Sequence, residues 1–343
     1  MKENNKITIE RETVQLPVTP HTFNWNNGRL NSRENGEQYY PEYDPYPAWR
    51  GMPRQMAYRF GQQFDRAVTS PDGKYTLLYT NLGTKGLLLK GAHELIREVN
   101  RSYYCADVYE YPAAFLTVRG RTFLVHCPLK YCRLDFEDVE TGEIVTMHPD
   151  RQPEDFFHSR LEISPGGYWL ISKGWGWHPV DLVAYYTITD CLDNPLLLDA
   201  VPTIELEKGR DDPEDKEFGE SFEFSTASFI NDEWLLIGAP DENAPLGLWK
   251  MYSRKMVRRI KVEGKCGNLI AIDDQWAWDL FGHPKLIHLE TGKIEWAAAD
   301  IDSGRQNSSI IGNMDLPLVA WDRDTGKLAI GAEKKVEVLT IQR

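Results

Sequence analysis

The chain has 343 residues and a hydrophobic fraction of 41%, ample for a buried core, so global disorder is excluded. Lys and Arg total 39 against 52 Asp and Glu, a formal net charge of −13. That balance argues against nucleic acid or an anionic membrane as the dominant partner, because a phosphate backbone demands a basic surface.

The chain opens on KITIERETVQL, whose apolar residues alternate at Ile7 and Ile9 and again at Val14 and Leu16, the pattern of a half-buried strand. It has no apolar core of signal-peptide length and no small-residue cleavage site. No stretch anywhere approaches the roughly 18 consecutive apolar residues of a membrane-spanning helix. Cys105, Cys127, Cys132, Cys191 and Cys266 are odd in number and scattered, as reduced thiols are. The expected compartment is the cytoplasm.

FNWNNGRL then offers an Asn27-Gly28 hairpin turn. Between residues 35 and 60, Tyr39, Tyr40, Tyr43, Tyr46 and Trp49 are spaced by Pro41, Pro45 and Pro47, which excludes a regular helix or a central strand. This segment is expected to lie across the domain and bury its rings. AVTSPDGKYTLLYT follows, with Ser70-Pro71-Asp72-Gly73 between two apolar runs. GAHELIREVN, residues 91–100, reads either as two turns of helix or as a turn and a strand.

The hairpin then recurs. TVRGRTFLVH, EISPGGYWLIS, FINDEWLLIG, AIDDQWAWDLF and AWDRDTGKLAIG each place turn residues between short apolar strands. Anchored at Gly73, Gly120, Gly167, Asp232, Asp274 and Gly326, the spacings are 47, 47, 65, 42 and 52 residues, with Gly28 another 45 upstream. After each turn the apolar residues are consecutive, which marks strands buried on both faces. Each hairpin is followed by a more polar, more alternating pair, such as CRLDFEDVETGEIV, LVAYYTITDCLDNPLLL and PKLIHLETGKIEW, as outer strands should be. Four strands per unit at this spacing matches β-propeller blades.

The Ser-Pro-Asp-Gly hairpin and DRDTGKLAIGAEKKVEVLTI, residues 322–341, resemble the inner strands of WD40-like propellers. The resemblance is architectural and carries no functional residue with it. The expected fold is therefore one all-β domain over residues 1–343: a β-propeller of seven blades, or six if the Asn27-Gly28 unit is discarded. The C-terminal KKVEVLTIQR is expected to pair with the N-terminal strand and close the ring.

Motifs for chemistry are sparse. His126, Cys127 and Cys132 lack a second pair at ligand spacing, so no metal is expected. No G-x-S-x-G elbow or phosphate-cradling loop occurs, and Cys105 sits among aromatics and acids. No catalytic residue and no cofactor is assigned.

Binding features are clearer. The blade phase puts KGWGWHPVD (residues 173–181) and APDENAPLG (residues 239–247) on one face, with Trp175, Trp177, His178, Asp241 and Glu242. The connection over residues 200–224 holds nine acids against three cations, among them Asp211, Asp212, Glu214 and Asp215. Arg254 to Lys265 reads as a charged outer strand that discourages sheet pairing. The expected function is a non-enzymatic interaction protein that binds a basic protein partner through an acidic, tryptophan-bearing face, for instance an immunity protein against a toxin. The alternative is an enzyme or carbohydrate-binding propeller with its site at the ring centre.

Overall fold

Ser70-Pro71-Asp72-Gly73 turns the chain between the strands Arg66–Thr69 and Tyr75–Tyr79. The Ser70 hydroxyl donates to Asp72 Oδ1 at 2.7 Å and accepts from the Tyr75 N–H at 3.0 Å, while the Gly73 N–H donates to the Ser70 carbonyl at 2.8 Å. Gly73 has φ +72°, and a Cβ there would also lie 2.5 Å from Asn26 Oδ1. Gly120, with φ +74° and nothing within 4 Å of a built Cβ, is required by its backbone angle alone. Ser164 repeats the Ser70 device, and Asn231 and Asp273 perform it with a carbonyl or carboxylate oxygen.

The computed structural model describes residues 7–17, 19–33, 64–91, 94–205, 223–312, 314 and 316–342. The turns organise an all-β propeller architecture with six blades. Blade 1 comprises Arg66–Thr69, Tyr75–Tyr79, Lys85–Lys90 and Glu94–Asn100. Blade 2 comprises Ala113–Val118, Arg121–His126 and Asp135–Asp138. In blade 3 the inner pieces Phe156–Phe157 and Glu162–Ile163 both pair with Trp169–Gly176, which pairs outward with Val180–Thr187. Blade 4 runs through Thr226–Phe229, Trp234–Gly238, Leu246–Lys250 and Lys255–Ile260, and blade 5 through Leu269–Ala271, Trp276–Asp279, Lys285–His288 and Ile294–Ala297. Blade 6 holds Val319–Asp322, Lys327–Ala332 and Lys335–Gln342, with the N-terminal strand Thr8–Gln15 outermost.

That outermost pair runs antiparallel from Thr8 opposite Gln342 to Gln15 opposite Lys335, so Ile9 faces Ile341 and Val14 faces Val336. A separate two-stranded hairpin, Thr22–Asn26 with Arg29–Arg33, stands between blades 6 and 1. Among the described residues no sheet closes on itself.

The consecutive apolar runs are explained by the blade interfaces. In blade 4, Leu235 and Ile237 pack with Ile171 and Val183 of blade 3, while Leu236 between them packs with Ala271 and Ile287 of blade 5. In blade 3, Leu170 faces blade 2 and Ile171 faces blade 4. Side chains still alternate, but both sides are core. Inner strands are also stitched across blades: Thr226 Oγ1 accepts from the Leu269 N–H at 2.9 Å, and Glu162 Oε1 accepts from the Phe229 N–H at 2.8 Å.

Three segments resolve or depart from the sequence expectation. Glu94–Asn100 takes the strand alternative. Lys173–Asp181, expected as a loop, is mostly strand, with its turn confined to residues 177–179. The segment after Val180–Thr187, expected as a second outer strand, is a helical turn Ile188–Asp193 followed by a 3-10 turn Pro195–Leu198. Spacing of three buries Ile188 and Cys191, and the Asn194 side chain accepts from the Leu196 N–H at 3.3 Å.

Candidate functional site

In each antiparallel blade, the turn after the second strand and the connection into the next inner strand lie on the same edge. Two such connections and two such turns lie on one face. Residues 101–112, leading from blade 1 to blade 2, are held by the buried Arg101, whose guanidinium donates to the carbonyls of Gly83, Asn81, Ala106, Tyr109 and Glu110 at 2.6–3.2 Å. It also stacks over the rings of Tyr109 and Tyr111. Burial pushes this guanidinium below its ordinary pKa. Residues 303–312, from the connection into blade 6, cross the same face. Ile310 bridges Tyr109, Ser309 donates its N–H to Asp181 Oδ1 at 2.8 Å, and Asn307 Nδ2 reaches the Pro240 carbonyl at 3.5 Å.

An aromatic cluster lies where these connections meet the blade 3 hairpin. Trp175 and Phe157 stack with centroids 3.8 Å apart and planes 2° from parallel, and both are buried. Trp175, selected from sequence as a binding residue, is thus a core residue: its strand register places it directly opposite Phe157. Trp177, at the turn, is 47% exposed, and its ring meets Trp175 and Phe157 edge-on at 5.6 and 5.5 Å. His178 is exposed and holds the turn with φ +83°. Tyr104, 47% exposed, joins the patch 4.8 Å from Tyr131 and 6.4 Å from Trp177, beside Tyr103 at 80% exposure. Sequence reasoning missed these tyrosines. Their signal was the aromatic density of YYCADVYEY within a connection.

Asp241 and Glu242 sit exposed in the turn after the second strand of blade 4, on the edge that also carries Trp177. Asp211, Asp212, Glu214 and Asp215 lie outside the described residues, as does the segment from Tyr39 to Trp49. The described end of the acidic connection returns to the aromatic hairpin: the Asp181 N–H donates to Glu223 Oε2 at 3.3 Å, and the Phe224 N–H to the Asp181 carbonyl at 3.2 Å. Glu223 therefore touches the strand that begins two residues after His178.

A polar cavity of about 360 Å³ lies at the centre of the ring. Its wall is drawn from blades 1, 3, 5 and 6 and from the connections at Glu110 and Gln306. Among the described residues three cations line it, Arg66, Arg160 and Lys173, against one carboxylate, Glu110. Nothing in residue spacing could have found this set, because its members are scattered over most of the chain.

All five cysteines are free, and four of them are buried. His126 is buried against Glu137, with Nε2 and Oε2 2.9 Å apart, and Arg97 pairs with the same carboxylate at 2.5 Å. Burial pushes Glu137 up, but these two partners outweigh it and hold the carboxyl below its ordinary range. Among the described residues no three His, Cys, Asp or Glu side chains are grouped to hold a metal ion, and no helix is long and apolar enough to cross a membrane. The propeller arrangement is thus established by the fold alone: no family model matches the sequence, and a search of curated proteins finds no match.

Proposed function

We propose that this chain is a non-enzymatic interaction module that binds a basic protein partner through the face bearing Tyr103, Tyr104 and Trp177. The observation that carries the reading is the exposed aromatic patch seated on a rigid Phe157–Trp175 stack, beside the returning end of the acidic connection. Exposed tyrosine and tryptophan on a fixed scaffold supply large contact area with little rotamer entropy to lose. The charge of −13, with nine acids over residues 205–223, supports a basic partner. A protein that neutralises a toxin in the cytoplasm is one form such a module takes. The same reading makes the Thr22–Arg33 hairpin the inner half of a seventh blade of a WD40-like ring joined by its termini. Two contacts support this: Trp25 Nε1 donates to the Ala320 carbonyl of blade 6 at 3.0 Å, and Asn26 Nδ2 to the Gly73 carbonyl of blade 1 at 3.3 Å.

Affinity capture from native extract tests the proposal. A stoichiometric basic protein should be retained by the wild type and lost from a Tyr104→Ala/Trp177→Ala double variant that melts like wild type. Equal retention by both would place the binding face elsewhere.

A further inference from the structure

We propose that the cavity at the ring centre is a binding site for a small molecule that carries a carboxylate or phosphate on an apolar body, with Arg66 and Arg160 as its anchors. The charge balance of the wall is the first reason. Lys173 is matched, with Nζ 2.9 Å from Glu162 Oε2 and 3.0 Å from the Ala227 carbonyl. Among the described residues the two arginines are not. Arg66 donates, among the described residues, to the carbonyls of Asp65 at 2.9 Å and Leu316 at 3.5 Å. Arg160 donates to the Ser225 carbonyl at 2.6 Å, and its Nε is buried without a partner. Neither guanidinium has a carboxylate within ion-pairing distance among the described residues.

Nearby acids do not fill that role. Glu110 and Asp181 attract Arg160 from beyond pairing distance. Glu110 spends its oxygens on the side-chain amides of Gln306 and Asn81, and Asp181 accepts from the N–H and hydroxyl of Ser309. Two planar five-donor cations, answered among the described residues by neutral carbonyls in a partly desolvated cavity, form a receptor for an oxyanion.

Backbone and shape agree. Arg160 holds φ +43°, a conformation unfavourable for a long side chain, so the surrounding fold imposes the position from which its guanidinium reaches the cavity. The 303–312 segment crosses over the cavity, with Ser303 and Gln306 in its wall. Leu161, Ile270, Val319 and Trp321 supply apolar wall on which a ligand body can rest. The volume of about 360 Å³ suits a small ligand.

Isothermal titration calorimetry at fixed ionic strength, with phenyl phosphate, benzoate and neutral benzamide as probes, tests the site. At least one of the two anions should bind one-to-one at millimolar concentration or below, and benzamide should not. The stronger of the two anions assigns phosphate or carboxylate as the preferred head group. Arg66→Gln and Arg160→Gln should each weaken that binding at least about tenfold, as loss of a charge-assisted bond to a buried group does. Glu110→Gln, which removes the one carboxylate of the wall among the described residues, should tighten it. Should Arg160→Gln fail to fold, the opposite shifts of Arg66→Gln and Glu110→Gln decide the matter. Absence of binding by both anions, equal binding of benzamide, or affinity unchanged in Arg66→Gln and Glu110→Gln would overturn the proposal. None of these variants alters the aromatic face, so this result and the partner-binding result fail independently.

Discussion

Two tryptophans separated by one residue lie in opposite settings here. Trp175 lies flat on Phe157 at 5% exposure, whereas Trp177 sits where the strand turns and keeps half its surface in water. Trp175→Ala should therefore cost about 3–5 kcal/mol of stability, the range for a large buried aromatic. Trp177→Ala should leave the melting temperature nearly unchanged while raising partner dissociation by an amount worth at least about 1 kcal/mol if the ring is a hot spot. Parallel melting curves and surface plasmon resonance separate the two effects. A second residue, His158, is buried between Phe156 and Ser172, and burial pushes its imidazole down to about 3 from an ordinary 6.5. Its folded pKa lies below the unfolded one, so the unfolded chain takes up the proton first. The stability tied to neutral His158 is complete above pH 6.5 and declines as the pH falls toward 3. The His158 ring signals in an NMR titration should accordingly stay fixed between about pH 5 and 8.

Among the elements, the paired termini carry the clearest consequence. Thr8–Gln15 covers the outer edge of Lys335–Gln342, and the side chains across that pair converge on Glu337. Its carboxylate accepts from Arg11 Nε at 2.9 Å, Thr13 Oγ1 at 2.8 Å and Lys335 Nζ at 2.7 Å. The Arg11 hydrogen bond, against burial and with help from Lys335 and Thr13, holds Glu337 at about 2 instead of 4.5. A depressed carboxylate stabilises fully above its unfolded value, and that contribution is lost as the pH falls from 4.5 to 2. Glu337→Gln should lower stability at neutral pH and flatten the acid limb of a stability–pH curve in that window. Deleting residues 1–16 should do more. It strips a full antiparallel partner from the last strand and exposes the edge, so the melting temperature and the solubility should both fall. An unchanged melting curve would show that the terminal pair is dispensable. The helical turn Ile188–Asp193 makes the converse point. ITDCLD has no strong helical signal, and what makes it helical is a place to bury Ile188 and Cys191 against blades 2 and 3.

At the scale of the whole molecule, charge and shape divide the work. On the proposed binding mode, the formal charge of −13 would act at a distance and set encounter, while the aromatic patch would act on contact and set residence. Neutralising Asp211, Asp212, Glu214 and Asp215 together should lower the association rate and weaken its salt dependence, with the dissociation rate nearly unchanged. An association rate insensitive to both the substitutions and salt would rule out electrostatic steering by that connection.

The sequence by itself determined the all-β class, the blade period, the glycine-bearing turns and the pairing of the two terminal runs. The first three are local information: a turn needs particular residues within four positions, and a strand declares its buried sides by alternation or by its loss. The terminal pairing followed from two alternating runs that each leave a sheet edge to cover. Tertiary structure alone decided which side of a strand faces which neighbour, so that Trp175 fell to the core and Trp177 to the surface, and Tyr104 joined them from another connection. It alone gathered Arg66, Glu110, Arg160 and Gln306 around one cavity. The physical reason is that a propeller builds its centre from one short strand of each blade, so residues that meet there are separated by whole repeats. No local pattern constrains such residues jointly.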